Sequence, residues 1–400
     1  MEAREERGLM IAATSKIEKI LLGYRVPSQS GNGSYVVNLD HGTPFCTCPD
    51  FGNGHKCKHI YAVEFSQKRE QSPDGTITET RTVKITYGEH WTAYNDAQQE
   101  EKHQFMTLLA DVCSGLQQPE QRMGRPRLPI ADMAFASIFK VYTGFSSRRF
   151  TCDMNEATEQ GLISKTPHFN SVSNYLSAPE LTPILKSLVT MSALPLKAVE
   201  SDFAVDSSGF ATSVYDRWYD AKYGKERSEN KWVKAHLMCG VNTHVVTSVE
   251  VTPTESADAP QFKPLVEQTA SNFDIKEVSA DKAYSSRKNL RVANNIGATA
   301  YIPFKSNTNG IGNREDGFDS LWNKMWHYYN FNRLDFMAHY HKRSNAETTF
   351  SMIKAKFGGF VRSKSSIAQL NEVLCKVVCH NICVLIQSMH ELGIEPVFNK

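Results

Sequence analysis

The sequence predicts an α/β protein: a mixed sheet with helices on both faces, preceded by a helical region and by a small α+β module stapled by metal. Three observations carry that expectation. Thiol and imidazole groups crowd into "FCTCPDFGNGHKCKHI" near the start. From about Lys102 to Leu194, apolar residues recur at three and four spacing. From "DFAVDSSGF" onward, short alternating segments take turns with amphipathic ones, the pattern of a layered sheet-and-helix domain.

At 400 residues the chain exceeds what one hydrophobic core usually organises. We expect three regions, residues 1–100, 101–195 and 196–390. A hydrophobic share of 40% with 22% charge is that of a globular chain and excludes a disordered or fibrous one. The net charge is only +2, so binding to a polyanion has to come from local basic clusters. No apolar run approaches the length that spans a bilayer, and "MEAREERGLM" is too charged for a secretory signal; the cytoplasm is expected, with no membrane partner. Nine cysteines, odd in number and unevenly spaced, fit a reducing compartment where some bind metal and others are buried.

Cys46, Cys48, Cys57 and His59 form a C-x-C then C-x-H pattern across a Gly- and Asn-rich loop. Two close pairs of soft or borderline ligands brought together by a turn supply the tetrahedron that Zn²⁺ requires and staple a core-poor region. His55 is an alternative fourth ligand to His59. "YVVNLD" before the site alternates as a strand, and "CKHIYAVEF" after it suits a helix. These residues resemble the SWIM type of zinc finger, which implies a recognition module for nucleic acid or protein and not a catalytic zinc. The chain then loosens through "SQKREQSPDGTITETR", a linker or hairpin edge.

In the second region "FMTLLADVCSGL", "IADMAFASIFKVYTG" and "PILKSLVTMSAL" read as helices. Between them "GRPRLP" places Arg125 and Arg127 either in a minor-groove arm or in a solvated turn. "GFSSRRF" offers Arg148 and Arg149, and "TPHFNSVSNYLSAP" resembles the second helix of a helix-turn-helix pair, with a plain packing helix as the alternative.

The third region opens with a strand in which Phe203 and Val205 alternate with polar neighbours and Asp206 ends the run before a small-residue turn. "WVKAHLMCGV" and "HVVTSVEVTP" follow as a hairpin joined by a tight "NT" link. A helix in "APQFKPLVEQTA" leads to a strand that runs into Asp281; a helix, the strand "ATAYIPF" and a helix holding Glu347 complete the order. Asp202 competes with Asp206 on the same strand face, and Asp258 is expected as a helix N-cap. Trp322, Trp326, Tyr328, Tyr329 and Phe331 suit core packing or stacking on a flipped base. Cys375, Cys379, His380 and Cys383 fall on an apolar helix and read as buried groups, not as a metal site.

"YHKRSNAETTFSMIK" is expected as one helix. At about 100° per residue, Tyr340, Arg343 and Lys354 lie within about 40° of Glu347, beside an apolar stripe of Ala346, Phe350, Ile353 and Phe357. A surface helix gains only a few tenths of a kcal/mol from such i, i+4 pairs. Here two more carboxylates arrive on strands of the same domain. Three converging carboxylates can hold two Mg²⁺ ions, the requirement of phosphoryl transfer on a polyanion.

Tyr340, Arg343, Glu347 and Lys354 fit the Y-x2-R-x3-E-x6-K signature without a gap, "DKAY" fits D-x-[GA]-[YF], and "DSSG" offers the D-S/T context. Over residues 196–390 the chain thus resembles the DDE transposases of bacterial insertion sequences. The resemblance implies an RNase H-like fold and Asp206, Asp281 and Glu347 as catalytic ligands of Mg²⁺ or Mn²⁺. It further implies cleavage at transposon terminal inverted repeats, strand transfer to target DNA, a homodimer, and action on the bacterial nucleoid. Tyr340, Arg343, Lys354, Arg125, Arg127, Arg148 and Arg149 are the expected DNA contacts. A non-catalytic, domesticated DNA-binding protein and a structure-specific nuclease are the alternatives.

Overall fold

Residues 3–20, 22–29, 33–39, 44–71, 77–81, 91–121, 126–212, 222, 232–308 and 321–398 are described by a computed structural model of the chain. Two compact units emerge, Met1–Glu89 and His90–Lys400.

In the smaller unit, strands β1 (Glu18–Ile20), β2 (Gly23–Pro27), β3 (Ser34–Asn38) and β4 (Phe45–Cys46) form an antiparallel sheet in that order. Helices α1 (Ala3–Thr14) and α3 (Lys58–Ser66) pack together beside the short α2 (Pro49–Gly52). They approach so closely that a Cβ on Gly8 would stand 2.5 Å from Cβ of Tyr61, which excludes any larger residue there. Beyond α3, β5 (Gln67–Gln71) and β6 (Ile77–Arg81) pair as an antiparallel ribbon.

The larger unit begins with helices α4 (Trp91–Ser114), α5 (Ile130–Thr143), α6 (Thr151–Glu159), α7 (Phe169–Leu176) and α8 (Leu181–Ala193). Its sheet contains β7 (Asp202–Ala211), β8 (Trp232–Gly240), β9 (Val246–Pro253), β10 (Glu277–Ala280) and β11 (Thr299–Tyr301), in the order β11-β10-β7-β8-β9. The first three strands are antiparallel neighbours, and β10 and β11 run parallel to β7. Helices α9 (Phe262–Ala270) and α10 (Arg287–Asn295) supply the crossovers that parallel strands need. This is the RNase H-like mixed sheet that the resemblance implies.

After β11 come α11 (Leu321–Phe331), α12 (Arg333–Tyr340), a 3₁₀ turn (His341–Arg343), α13 (Ser344–Phe357) and the long α14 (Ser366–Leu392). By length and composition α14 could cross a membrane, contrary to the expectation from sequence. Of its most apolar stretch, however, 78% is buried inside the fold, against α4, α5, α8 and β9. Its polar residues fasten those neighbours: Asn381 exchanges hydrogen bonds with the amide and carbonyl of Val246 at 2.8 and 2.7 Å, and Asn371 donates to the Leu176 carbonyl at 2.9 Å.

Two local expectations are corrected. β7 does not end at Asp206, because Ser207–Ala211 continues the ladder against Trp232–His236. The β8–β9 link spans residues 241–245, longer than a two-residue turn. The buried Glu200 carboxylate draws the chain in by accepting the amides of Asn242 and Thr243 at 3.2 and 2.6 Å, and His244 takes φ 65°.

Candidate active site and zinc centre

β10 covers only the first half of β7. The register pairs Ala280 with Val205, and the covering strand ends there. The next residue on each strand is an aspartate, so Asp281 and Asp206 stand side by side at about one strand spacing, ~4.8 Å, on the same face. Each ties one oxygen to the amide that follows it, Asp206 Oδ1 to Ser207 N at 2.8 Å and Asp281 Oδ1 to Lys282 N at 2.7 Å. The carboxylates are thereby oriented by backbone through one oxygen each.

Helix α13 packs its buried Ala346, Thr349, Phe350 and Ile353 toward β7 and β8. The single helix expected from Tyr340 to Lys354 is instead two helices joined by the 3₁₀ turn, whose tighter winding redirects the polar row. Arg343, in the turn, spans two of the acids: Nη1 donates to Asp206 Oδ2 and Nη2 to Glu347 Oε1, both at 2.7 Å. Its guanidinium lies 5.9 Å from the Tyr340 ring. Lys354 donates to Ser208 Oγ at 2.7 Å, farther along β7.

Burial pushes the Asp206 carboxyl above its ordinary range; the Ser207 amide and Arg343 oppose the rise, while Asp281 and Glu347 add to it. Asp206 is well sheltered and Glu347 is exposed, with 16% and 58% of their side chains accessible. The site therefore has one sheltered and one open carboxylate. Its donors are all carboxylate oxygens, the chemistry that hard divalent cations take.

In the smaller unit, β4 delivers Cys46, the loop into α2 delivers Cys48, and the start of α3 delivers Cys57 and His59. Their donor atoms lie within 4.8 Å of one another, and all four residues are buried. Among the described residues, no other set of three or more potential ligands is gathered so tightly. Cys46 Sγ approaches His59 Nδ1 at 3.9 Å, while His59 Nε2 is buried with no hydrogen-bond partner. The Cys57 thiol is pulled down to about 4 by hydrogen bonding from Cys46, despite burial, so the cluster favours a thiolate. His55 is exposed and outside the cluster. The donor set fits Zn²⁺.

Comparison with known families now decides the identity. The transposase DDE domain family matches residues 197–382, and the SWIM zinc finger family matches residues 35–68. Residues 197–382 therefore form a transposase DDE domain, and residues 35–68 a SWIM zinc finger. No curated protein matches it. Among solved structures, the cryo-EM structure of a piggyBac transposase synaptic complex with hairpin DNA is similar over 74% of this chain and 74% of its own. The identity is 11% and the TM-score 0.33, a likeness too loose to bear on the site.

Other expected contacts of the transposase lie away from the carboxylates. Arg125 is outside the described residues. Arg127 is exposed, and its amide donates to Gln121 Oε1 at 3.2 Å. Arg148 and Arg149, beside α6, lie over the rings of Phe169 and Phe145 at 5.2 and 4.8 Å. Of the aromatics before Tyr340, Trp322 and Tyr329 pack on Phe304, whereas Phe331 is exposed.

Sequence reasoning did not assemble two groups of side chains that the fold brings together. On the reverse face of the transposase sheet, His236 is fully buried, with Nδ1 3.3 Å from Tyr284 Oη and Nε2 3.0 Å from Thr252 Oγ1. Asp258 caps no helix through its side chain; it pairs with Lys234 and accepts from Ser207 Oγ at 3.3 Å. Period-two alternation could have grouped Ser207 with His236, but the loop carrying Asp258 has no signal in the sequence. The second group surrounds Lys342, a residue that the signature leaves unspecified.

Proposed function

We propose that this transposase cuts DNA at the inverted repeats of a mobile element and joins the freed ends to target DNA, with Asp206, Asp281 and Glu347 holding Mg²⁺ or Mn²⁺. The observation that carries the reading is the pairing of Asp206 and Asp281 past a matched register, with Arg343 spanning Asp206 and Glu347. Bound divalent ions would lower the pKa of the attacking water or 3′ hydroxyl and stabilise the departing 3′ oxygen. The chain's own part is geometry. Backbone amides fix the two aspartates, α13 brings Glu347 to the open side, and Arg343 relieves the repulsion between carboxylates.

Tyr340, Arg343 and Lys354 form the row that would hold the phosphate backbone beside these acids, and Arg125, Arg127, Arg148 and Arg149 would contact DNA farther out. Cys46, Cys48, Cys57 and His59 would hold a structural Zn²⁺, leaving the finger to recognise DNA or protein. Two ends must be held together, so the working form is a homodimer, acting in the bacterial cytoplasm where the DNA is.

The test is incubation of the protein and a Glu347→Gln variant with labelled linear DNA carrying the repeats that flank the reading frame, with and without Mg²⁺. Metal-dependent nicking at the end, lost in the variant, is expected. Tight, salt-sensitive binding by both proteins without cleavage under any metal would instead assign the function to binding alone.

A further inference from the structure

Lys342 and Arg343 are consecutive residues, yet one serves the start of β7 and the other its middle. Arg343 reaches Asp206. Lys342 Nζ donates to Asp202 Oδ2 at 2.6 Å and to Glu277 Oε2 at 2.7 Å. Asp202 and Glu277 are partners in the parallel register of β7 and β10, and each precedes a site aspartate, Asp206 or Asp281, by four residues on the same face.

The seam continues sideways. Glu277 Oε2 also contacts His339 Nδ1 at 2.8 Å, and the His339 ring stacks on Tyr301 of β11 with centroids 4.4 Å apart and planes at 9°. The Lys342, Asp202 and Glu277 side chains are only 30%, 25% and 22% exposed. Lys342 is therefore a sheltered charge committed to two acids, unlike a solvated lysine waiting for a phosphate.

We propose that Lys342 is a positioning residue: it pins the turn across β7 and β10 so that Arg343 and Glu347 meet Asp206. This inference rests on the catalytic reading of Asp206, Asp281 and Glu347. Without the ammonium, Asp202 and Glu277 face each other as like charges on adjacent strands, and the turn loses its anchor five residues before Glu347. A displacement of about 1 Å at a catalytic group costs about 100-fold in rate.

The test uses the full-length protein and three variants: Lys342→Met, Lys342→Arg, and the triple variant Lys342→Met/Asp202→Asn/Glu277→Gln. Single-turnover nicking of end-carrying DNA in Mg²⁺, end binding across a salt series and thermal unfolding are measured, with Glu347→Gln as the control for the catalytic reading. Lys342→Met should nick about 100-fold more slowly at unchanged end affinity, and Lys342→Arg should recover part of the rate. The triple variant should regain the unfolding temperature but not the rate.

Unchanged nicking in Lys342→Met would overturn the proposal. So would a weakened affinity with a salt slope shallower by about 1, the mark of a phosphate contact. Recovery of the rate together with the unfolding temperature in the triple variant would reduce Lys342 to a structural part. If the unaltered protein fails to nick, or Glu347→Gln nicks as well as it does, the catalytic reading itself fails and the positioning role falls with it.

Discussion

Glu372 and Lys376 stand one turn apart on α14 and hold a single loop between them. Lys376 Nζ donates to the carbonyls of Phe357, Gly358 and Phe360 at 2.8, 2.7 and 2.6 Å. Glu372 accepts the amides of Arg362 and Ser363 at 2.9 and 2.8 Å. The loop so held leaves α13 and bonds to Ala211, the last residue of β7, through Gly359 O and Val361 N. Lys376→Met keeps the apolar stem but leaves three carbonyls without their donor. We expect a loss of about 3 kcal/mol or more, read from the urea midpoint. Glu372→Gln, which retains an acceptor oxygen, should lose less.

The finger should depend on its metal for structure. Among the described residues its buried apolar core is Ile11, Val26, Val37, Ile60, Ala62 and Val63 together with Cys46, Cys48 and Cys57. A third of that core is thus ligand, and the remainder is too small to fold such a unit alone. Chelation, or Cys57→Ser, should release zinc and open residues 35–68 to limited proteolysis. Resistance that persists in the metal-free protein would count against a structural zinc.

The carboxylate site should respond to divalent cations even without DNA. Asp206 is raised by burial, with Asp281 and Glu347 adding to the rise, so a cation binding there relieves strain in the folded state. At a hundred times its dissociation constant, Mg²⁺ should stabilise the larger unit by about 2.7 kcal/mol. Asp281→Asn removes one like charge beside Asp206. It should melt higher than the unaltered protein in chelator and lose most of the Mg²⁺-induced shift, both measurable by thermal unfolding.

The order of sheet elements was legible because alternation and amphipathic spacing are local, and the signature marked Arg343 and Glu347 because it is a helix-spaced motif. What sequence could not supply was long-range. The continuation of β7 past Asp206 depends on a partner strand across a gap of twenty residues, and small polar residues such as Ser207 and Ser208 carry no strand signal of their own. The tightening at His341–Arg343 has no helix breaker to announce it. It coincides with Lys342 and Arg343 reaching toward different acids, a contact-driven feature invisible to periodicity. Similarly, Glu372, Lys376 and Asn381 read as interruptions of an apolar helix until their partners, on a distant loop and on β9, are seen.

Acid should weaken the larger unit through two buried histidines. Burial holds His236 down at about 4, between Tyr284 and Thr252, and holds His380 down at about 4, where Nε2 meets the His244 carbonyl at 2.9 Å. Unfolded, each titrates near 6.5, so between these values the unfolded chain binds more protons than the folded one. Their contribution is therefore complete above pH ~6.5 and is lost as pH falls toward ~4, at up to about 3 kcal/mol for each histidine. Asp206, raised by burial, works in the opposite sense, so the histidine effect is best read as a difference. Stability measured by urea unfolding from pH 7.5 to 4 should fall more steeply for the unaltered protein than for His380→Gln, by about one proton in that window. Equal slopes would mean that His380 already carries its proton in the folded state.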